Sequence, residues 1–344
     1  MKESSSLTSL EICAGAGGQS LGLARAGFHH VGLVEIEPTA CETLRLNRPH
    51  WKVIQGDVRK FSAVDYKGVD LLAGGVPCPP FSKAGRQLGE SDERDLFPEA
   101  IRLTAECEPR AVLLENVRGL LDPVFKPYRE QILQSFKNLG YVGGWRLVHA
   151  SHYGVSQLRP RAIFVAFRDD LYQSFEWPKA NTTPPKPVGE MLRDLMAENG
   201  WLQANKWCDI ANGIAPTLVG GSKKHGGPDL GPTRAKQAWA QLGVDGHGIS
   251  DAPPAEGFVG LPKLTVRMTA RLQGFPDEWQ FSGKKTAAYR QIGNAFPPPV
   301  AEAIGREIRR TLVQSTKQRA GGHDAIRKQA KEHRGKDTAS SVLS

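Results

Sequence analysis

Cys78 is the side chain in this sequence that is best placed to act as a nucleophile. Residues 69–73 are mostly apolar and predict a buried strand, and residues 74–80 (GGVPCPP) must end that strand abruptly, because proline removes a backbone donor and fixes φ. In open α/β sheets, ligands bind at the carboxyl ends of strands. A free cysteine is just as often a small buried apolar residue, so the assignment as a nucleophile depends on the neighbouring strands.

Charged side chains flank two other predicted strands. Glu115 directly follows the apolar residues 111–114, where it is either a helix cap or a catalytic carboxyl group. Arg159 and Arg161 come just before the apolar residues 162–167. Guanidinium groups at such an edge bind anions and the polar edges of bases, although surface arginines are also common. A thiol, a carboxyl group and two guanidinium groups could therefore share one edge of a sheet.

A glycine-rich loop at residues 14–18 (AGAGG) separates a predicted strand at residues 10–13 from a short helix that ends at Gly27. Glycines let the backbone approach a ligand closely, and a helix N-terminus directs its N–H groups at the ligand. Two further predicted strands end at Glu35, where an acid suits a ribose diol, and at Asp57, which either accepts from an adenine amine or caps a turn. Together the three strand ends predict an adenosine-binding site. The sequence contains no P-loop motif for phosphates.

Composition and charge bound the functions that are open to this chain. Its 344 residues are 40% hydrophobic and 24% charged, which fits a folded protein of two domains. No apolar run is long enough to span a membrane and the amino terminus lacks the apolar core of a signal peptide, so we expect a cytoplasmic protein. The five cysteines form no Cys-x-x-Cys pair, which argues against disulfides and a zinc site. The formal charge of +9 is weak support for a polyanionic partner.

The carboxyl-terminal half contains less distinct chemistry. Residues 181–187 (NTTPPKP) predict a linker, and residues 213–260 are rich in glycine and proline, which disfavours helices and suits a loop-rich recognition surface. Lys223, Lys224 and Arg234 are candidates for contacts with phosphate or guanine, or they are solvated bystanders.

Two polar segments complete the pattern. Residues 83–95 are long for a connection and are punctuated by glycine, which predicts a mobile lid beside Cys78 rather than an ordinary surface loop. Residues 315–344 are rich in Lys and Arg and poor in apolar residues, and we expect them to be disordered.

Taken in order, these motifs resemble the DNA (cytosine-5)-methyltransferase family of the bacterial restriction–modification type. The residues that carry the resemblance are the AGAGG loop, Glu35, Asp57, Pro77-Cys78, Glu115-Asn116-Val117, Gln157-x-Arg159-x-Arg161, residues 264–276 (LTVRMTARLQGFP) and residues 291–294 (QIGN). They span nearly the whole chain outside one variable stretch. Two positions depart from the pattern. Cys13 stands where the family usually has Phe beside the cofactor, which leaves that aromatic contact in doubt, and Pro79 follows the nucleophile.

The resemblance implies an α/β fold, with a Rossmann-like S-adenosylmethionine-dependent methyltransferase domain and a smaller, loop-rich target-recognition domain. The expected division is residues 1–178 for the catalytic and cofactor-binding domain, 179–289 for the target-recognition domain, 290–314 for a C-terminal helix that returns to the catalytic domain, and 315–344 for the basic tail.

The resemblance also implies a reaction, the transfer of a methyl group from S-adenosylmethionine to carbon 5 of a flipped-out cytosine in a specific double-stranded DNA sequence. Cys78 would bond covalently to carbon 6, Glu115 would hold or protonate ring nitrogen 3, and Arg161 would steady the base, with Arg159 in support. No metal is expected. The implied cofactor-binding residues are Cys13, Ala14, Gly15, Gly17, Gly18, Glu35, Ile36, Asp57, Val58, Pro77 and Asn294.

The implied partners are double-stranded DNA and, in function rather than by physical contact, a cognate restriction endonuclease. We expect a cytoplasmic, nucleoid-associated monomer that does not bind membranes. A tRNA cytosine-5 methyltransferase would share the catalytic residues, whereas a non-catalytic DNA-binding module would be expected to have lost one. A nicotinamide-dependent oxidoreductase would explain only the glycine loop. The turn at residues 78–81 (CPPF) also resembles that of amino-methyltransferases, but their chemistry needs an oxygen acceptor in place of the thiol.

Overall fold

Strands and helices that alternate along the amino-terminal half predict a largely parallel sheet, and the computed structural model contains one. The structure describes residues 6–77, 95–168, 171–221 and 227–314. The strands are β1 (Leu7–Ile12), β2 (Phe28–Glu35), β3 (Val53–Gln55), β4 (Leu71–Gly74), β5 (Ala111–Val117), β6 (Tyr141–His149) and β7 (Pro160–Arg168). They form a seven-stranded sheet in the order β3-β2-β1-β4-β5-β7-β6.

The direction of the strands decides which residues meet. Strands β1 to β5 are parallel to one another, whereas β7 runs antiparallel to both β5 and β6. The carboxyl ends of β1 to β6 therefore lie at the same edge of the sheet as the amino end of β7. We call this the carboxyl edge. Every strand end at which the sequence predicts a reactive or ligand-binding side chain lies at this edge.

Ten α-helices lie within the described ranges, and none of them is long and apolar enough to cross a membrane. They are α1 (Gly18–Arg25), α2 (Pro38–Asn47), α3 (Phe97–Cys107), α4 (Lys126–Asn138), α5 (Val188–Ala197), α6 (Ala204–Ile210), α7 (Thr233–Gln241), α8 (Val266–Leu272), α9 (Lys285–Asn294) and α10 (residues 298–314).

Helices cover both faces of the sheet. Helices α1 and α10 bury Leu23 and Ile304 against one face, and α3 and α4 bury Phe97 and Phe136 against the other. Burying each such side chain stabilises the fold by about 1.5–3 kcal/mol. A mostly parallel sheet with helices on both faces confirms the predicted Rossmann-like architecture.

A third core lies between α5, α6, α7, α8 and α9, and is formed around residues such as Trp207, Trp239 and Tyr289. The prediction that residues 213–260 resist helix formation is wrong at α7. Alanines favour a helix in that segment, and the fully buried Trp239 fastens it to the core. The domain boundaries at residues 178/179 and 289/290 stay predictions.

Two helices, not one, occupy the segment from residue 290 to residue 314. Helix α9 ends at Asn294, and α10 begins at residue 298. Pro297 separates them because the residue before a proline is pushed out of the helical region. Residues 291–294, predicted to introduce the last helix, are therefore the last turn of the preceding one.

Candidate active site

Glu115 and Arg161 form a buried ion pair at the carboxyl edge. Residue 117 of β5 lies opposite Arg161 of β7, and Glu115 lies opposite residue 163. The two side chains are therefore diagonal neighbours on one face, because residues two apart in a strand point the same way. Arg161 Nε donates to Glu115 Oε1 at 2.7 Å, and the two side chains are only 11% and 9% exposed.

Burial sets the energetics of this pair. Loss of hydration lowers the pKa of Arg161, and the Glu115 carboxylate acts in the opposite direction. A buried charge that loses its partner costs about 3–5 kcal/mol. Each member therefore requires the other, and the pair fixes the direction in which the carboxyl group points.

The chain that leads to Cys78 passes beside Glu115. A Cβ atom placed on Gly75 would lie 3.5 Å from Glu115 Oε2, and Asn116 Nδ2 donates to the Val76 carbonyl at 2.8 Å. Cys78 itself and residues 83–94 of the predicted lid lie outside the described residues, as do Lys223 and Lys224. The segment 74–77 thus brings the chain next to the carboxyl group at Gly75, three residues before the predicted nucleophile.

Arg159 differs from Arg161 in its partners, although both were predicted to act together. It is fully buried and donates to the carbonyl groups of Leu218 at 2.8 Å, Gly293 at 2.7 Å and Ala295 at 2.9 Å. Burial lowers its pKa well below the usual value for arginine. Arg159 thus joins the start of β7 to the segment before residue 221 and to the end of α9.

Gln157 and Gln273 extend this connection. Gln157 Nε2 donates to Gln273 Oε1 at 2.6 Å, and Gln157 Oε1 accepts from the Leu218 N–H at 2.8 Å. Gln273 Nε2 donates to the Ala295 carbonyl at 2.5 Å. Gln273 and Asn116 were assigned no role from the sequence alone. The only indication that they matter was that each lies within a segment that carries the family resemblance.

The glycine loop is held by Glu35. Glu35 Oε2 accepts from the Gly15 N–H at 2.7 Å and Oε1 accepts from the Glu37 N–H at 2.8 Å. Burial raises the pKa of Glu35, and these two N–H groups act against that rise. Since each carboxylate oxygen has two lone pairs, Glu35 keeps acceptor capacity for a hydroxyl group.

The Asp57 carboxylate is paired with the guanidinium group of Arg59. It accepts from Arg59 Nε at 3.0 Å and from Arg59 Nη2 at 2.6 Å, and these bonds hold its pKa below the usual range. Val58 is buried next to it, whereas Ile36, directly after β2, is 54% exposed. Ile36 therefore offers an exposed apolar surface to an adenine ring. The carboxylates of Glu35 and Asp57 could accept from ribose hydroxyl groups and from the adenine amine, so these residues fit an adenosine group.

Residues from the carboxyl-terminal part of the chain pack against the glycine loop. Trp279 Nε1 donates to the Ala16 carbonyl at 3.2 Å, and a Cβ atom on Gly18 would lie 2.2 Å from the Phe296 carbonyl oxygen. Only glycine fits at residue 18. Gly17 has a φ of 86°, which glycine adopts without strain.

Other predicted residues also lie at the carboxyl edge. Cys13 has a φ of 52°, and burial raises its pKa, so its thiol is a poor nucleophile. Ala14 is buried in the loop, and Pro77 is exposed after β4. Asn294 is exposed and donates to the Gly221 carbonyl at 3.3 Å, so its side chain faces the segment before residue 222. Among the described residues, no cluster of His, Cys, Asp and Glu could hold a metal ion.

Comparison with known proteins gives a consistent result. A family model described as C-5 cytosine-specific DNA methylase matches residues 7–310. The Type II methyltransferase M.NgoMIV of Neisseria gonorrhoeae is 61% identical over 308 residues, which cover 89% of this chain and 98% of that protein. M.NaeI of Lentzea aerocolonigenes, also a Type II methyltransferase, is 57% identical over 313 residues, covering 89% and 76%. The crystal structure of a prophage-encoded DNA modification methyltransferase from E. coli has a TM-score of 0.64 and 26% identity, covering 89% of this chain and 99% of that one.

Proposed function

Because this chain belongs to the C-5 cytosine-specific DNA methylase family, we propose that it methylates carbon 5 of a flipped-out cytosine through a covalent adduct with Cys78. The enzyme is a DNA cytosine-5-methyltransferase that depends on S-adenosylmethionine. The observation that supports this mechanism best is the buried Glu115–Arg161 pair beside the strand that leads to Cys78.

The proposed chemistry begins with the cytosine ring, whose carbon 5 is a weak nucleophile. The Cys78 thiolate bonds to carbon 6, and the electrons of the 5,6 double bond move into the ring. Glu115 delivers a proton to ring nitrogen 3, which leaves carbon 5 electron-rich. Carbon 5 then takes the methyl group. Loss of the carbon 5 proton to a base, for which water suffices, restores the double bond and expels the Cys78 sulfur, and nitrogen 3 returns its proton to Glu115.

Glu115 and Arg161 have complementary roles in this proposal. Arg161 Nε occupies Glu115 Oε1, and Oε2 is the oxygen nearest to Gly75 and hence to the side on which the base would enter. Oε2 would therefore take up a proton as the base enters and pass it to nitrogen 3. The remaining N–H groups of Arg161 would bind the carbonyl oxygen of the base. Arg159 would act indirectly, by holding the start of β7 in place.

The proposed cofactor site lies along the glycine loop. Glu35 would accept from the ribose hydroxyl groups, and Asp57 from the adenine amine, with Ile36 and Val58 against the ring. S-adenosylmethionine supplies an activated methyl group on sulfur. The other residues proposed to line this site are Cys13, Ala14, Gly15, Gly17, Gly18, Pro77 and Asn294.

Replacement of the nucleophile tests the mechanism. We expect Cys78→Ala to abolish methylation of duplex DNA while cofactor binding, measured by calorimetry, changes less than about threefold, because the thiol is not a cofactor contact in the proposal. Duplex DNA that contains 5-fluorocytosine should trap the wild-type enzyme covalently, since fluorine cannot leave as a proton does. Cys208→Ala is the matched control and should keep full activity. Methylation by Cys78→Ala would refute the covalent route.

The biological setting is part of the proposal. The relatives reported above are named Type II methyltransferases, and we propose that this enzyme likewise protects DNA from a cognate restriction endonuclease, as a monomer in the cytoplasm near the nucleoid. Bisulfite sequencing of host DNA after expression should show one methylated sequence context. Methylation of tRNA in place of duplex DNA would contradict the assignment.

A further inference from the structure

Three side chains that can carry positive charge lie together at the carboxyl edge, outside the site described above. Arg118 directly follows β5, His149 is the last residue of β6, and His152 lies in the short helical turn Ala150–Tyr153 that comes next. The imidazole rings of His149 and His152 have their centroids 5.2 Å apart, with 38° between their planes. We call these three residues the edge cluster.

The strand register places the edge cluster beside the catalytic pair. Arg161 lies on β7, between β5 and β6. Arg118 and His149 each come one residue after the position that is paired with Arg161, and His149 lies opposite Pro160. Because adjacent strands are about 4.8 Å apart, Arg118 and His149 lie on either side of Pro160, roughly 10 Å from each other.

Within the described ranges, no carboxylate is paired with a member of the edge cluster. Burial, His152 and Arg118 all lower the pKa of His149, and its neighbour on β7 is an uncharged proline. Among the described residues, no ion pair includes any member of the cluster. Adjacent like charges repel. An anion that approaches this edge would remove the repulsion.

We propose that Arg118, His149 and His152 bind a backbone phosphate of the DNA beside the flipped cytosine, and that His149 makes this contact dependent on pH. The inference rests on the proposed function, in which duplex DNA enters at the carboxyl edge. Guanidinium and imidazolium groups donate charge-assisted hydrogen bonds to phosphate oxygens. Such a contact fixes the position of the duplex and carries no sequence information.

The sign of the pH effect follows from the charges. A bound phosphate favours the protonated imidazole, so DNA binding takes up a proton at His149. Burial and the neighbouring cations lower the pKa of His149 in the free protein, so affinity rises as the pH falls from about 8 to about 6, and the rise continues below the ordinary imidazole value of about 6.5. Arg118 stays charged throughout this interval and contributes equally at both ends.

The test measures binding of a short fluorescent duplex of arbitrary sequence by polarisation, at several salt concentrations and at two pH values. At pH 6, the triple variant Arg118→Gln/His149→Gln/His152→Gln should show a plot of log affinity against log salt that is shallower by about one, since each neutralised phosphate contributes about 0.9. The double variant His149→Gln/His152→Gln keeps Arg118 and should lose part of this slope. Between pH 8 and pH 6, wild type should gain more affinity than the double variant, by a factor that approaches about ten for each pKa unit that the phosphate adds to His149.

Further variants separate this role from a structural one. His149→Lys/His152→Lys should bind DNA at pH 6 as tightly as wild type and keep that affinity at pH 8, because lysine stays charged over this interval. His50→Gln, an exposed residue just before β3 at the opposite edge, should behave as wild type. The Gln double variant should raise the KM for DNA, keep kcat at saturating DNA and keep its affinity for sinefungin, a non-reactive cofactor analogue.

Different results would refute the phosphate contact and the proposed function. A Gln double variant that keeps the wild-type salt slope and pH dependence overturns the phosphate contact, as does an equal loss in His50→Gln. If the wild-type protein itself binds duplex DNA without any salt dependence, the proposed function fails and not the inference alone.

Discussion

The coupling between Glu115 and Arg161 can be measured without DNA or cofactor. Their atoms meet at 2.7 Å in a nearly dry environment. Two unit charges with centres about 4 Å apart interact by about 4 kcal/mol at an effective dielectric of about 20. Glu115→Gln keeps an acceptor for Arg161 but removes the charge, so we expect it to lower the free energy of unfolding by about 3 kcal/mol. Arg161→Met should cost a similar amount.

The double variant Glu115→Gln/Arg161→Met distinguishes pairing from mere burial. It removes both charges, so its loss should be smaller than the sum of the two single losses by about 2 kcal/mol or more. Urea denaturation followed by tryptophan fluorescence measures all three variants. The exposed pair Lys126–Glu130, 3.7 Å apart, is the control and should show a coupling below about 0.5 kcal/mol. Additive losses at the buried pair would refute the reasoning.

Two further predictions concern buried groups away from the reacting base. Arg159→Met leaves the carbonyl groups of Leu218, Gly293 and Ala295 without their donor, and removing the buried charge offsets only part of this cost. We therefore expect the free energy of unfolding, measured by urea denaturation, to fall by about 2–4 kcal/mol, and kcat to fall as well. Unchanged stability would contradict the proposal that Arg159 holds these segments together. Burial raises the pKa of Glu11 to about 8, above the value in the unfolded chain, so its contribution to stability is lost as the pH rises from about 5 to about 8. Glu11→Gln should abolish about 3 kcal/mol of that decline, and identical stability profiles of variant and wild type would disprove it.

The position of the carboxyl edge was predictable from the sequence, whereas the pairing of its residues was not. Glu115 lies near the end of β5 and Gly15 follows β1, and parallel strands end at one edge whatever their order. The Glu115–Arg161 bond depends on the register between β5 and an antiparallel β7, and periodicity does not encode register between strands.

Arg159 shows a second limit. It is two residues from Arg161 and resembles it in every local respect, yet its three acceptors come from residues 59 to 136 positions away in the chain. Helix α7 shows a third, since glycine and proline in its surroundings masked a helix that forms because Trp239 has a core to enter. In both cases the decisive information is long-range packing, which local composition does not contain.

The contact of Trp279 with Ala16 joins residues 263 positions apart, and this has a consequence for biosynthesis. A ribosome extends the chain at about 5–20 residues per second, so the glycine loop leaves it many seconds before the indole that supports it. During that interval the nascent protein has most of its sheet but an unsupported cofactor loop. The enzyme therefore becomes competent late in translation, and a chain truncated before Trp279 would be released as an inactive product.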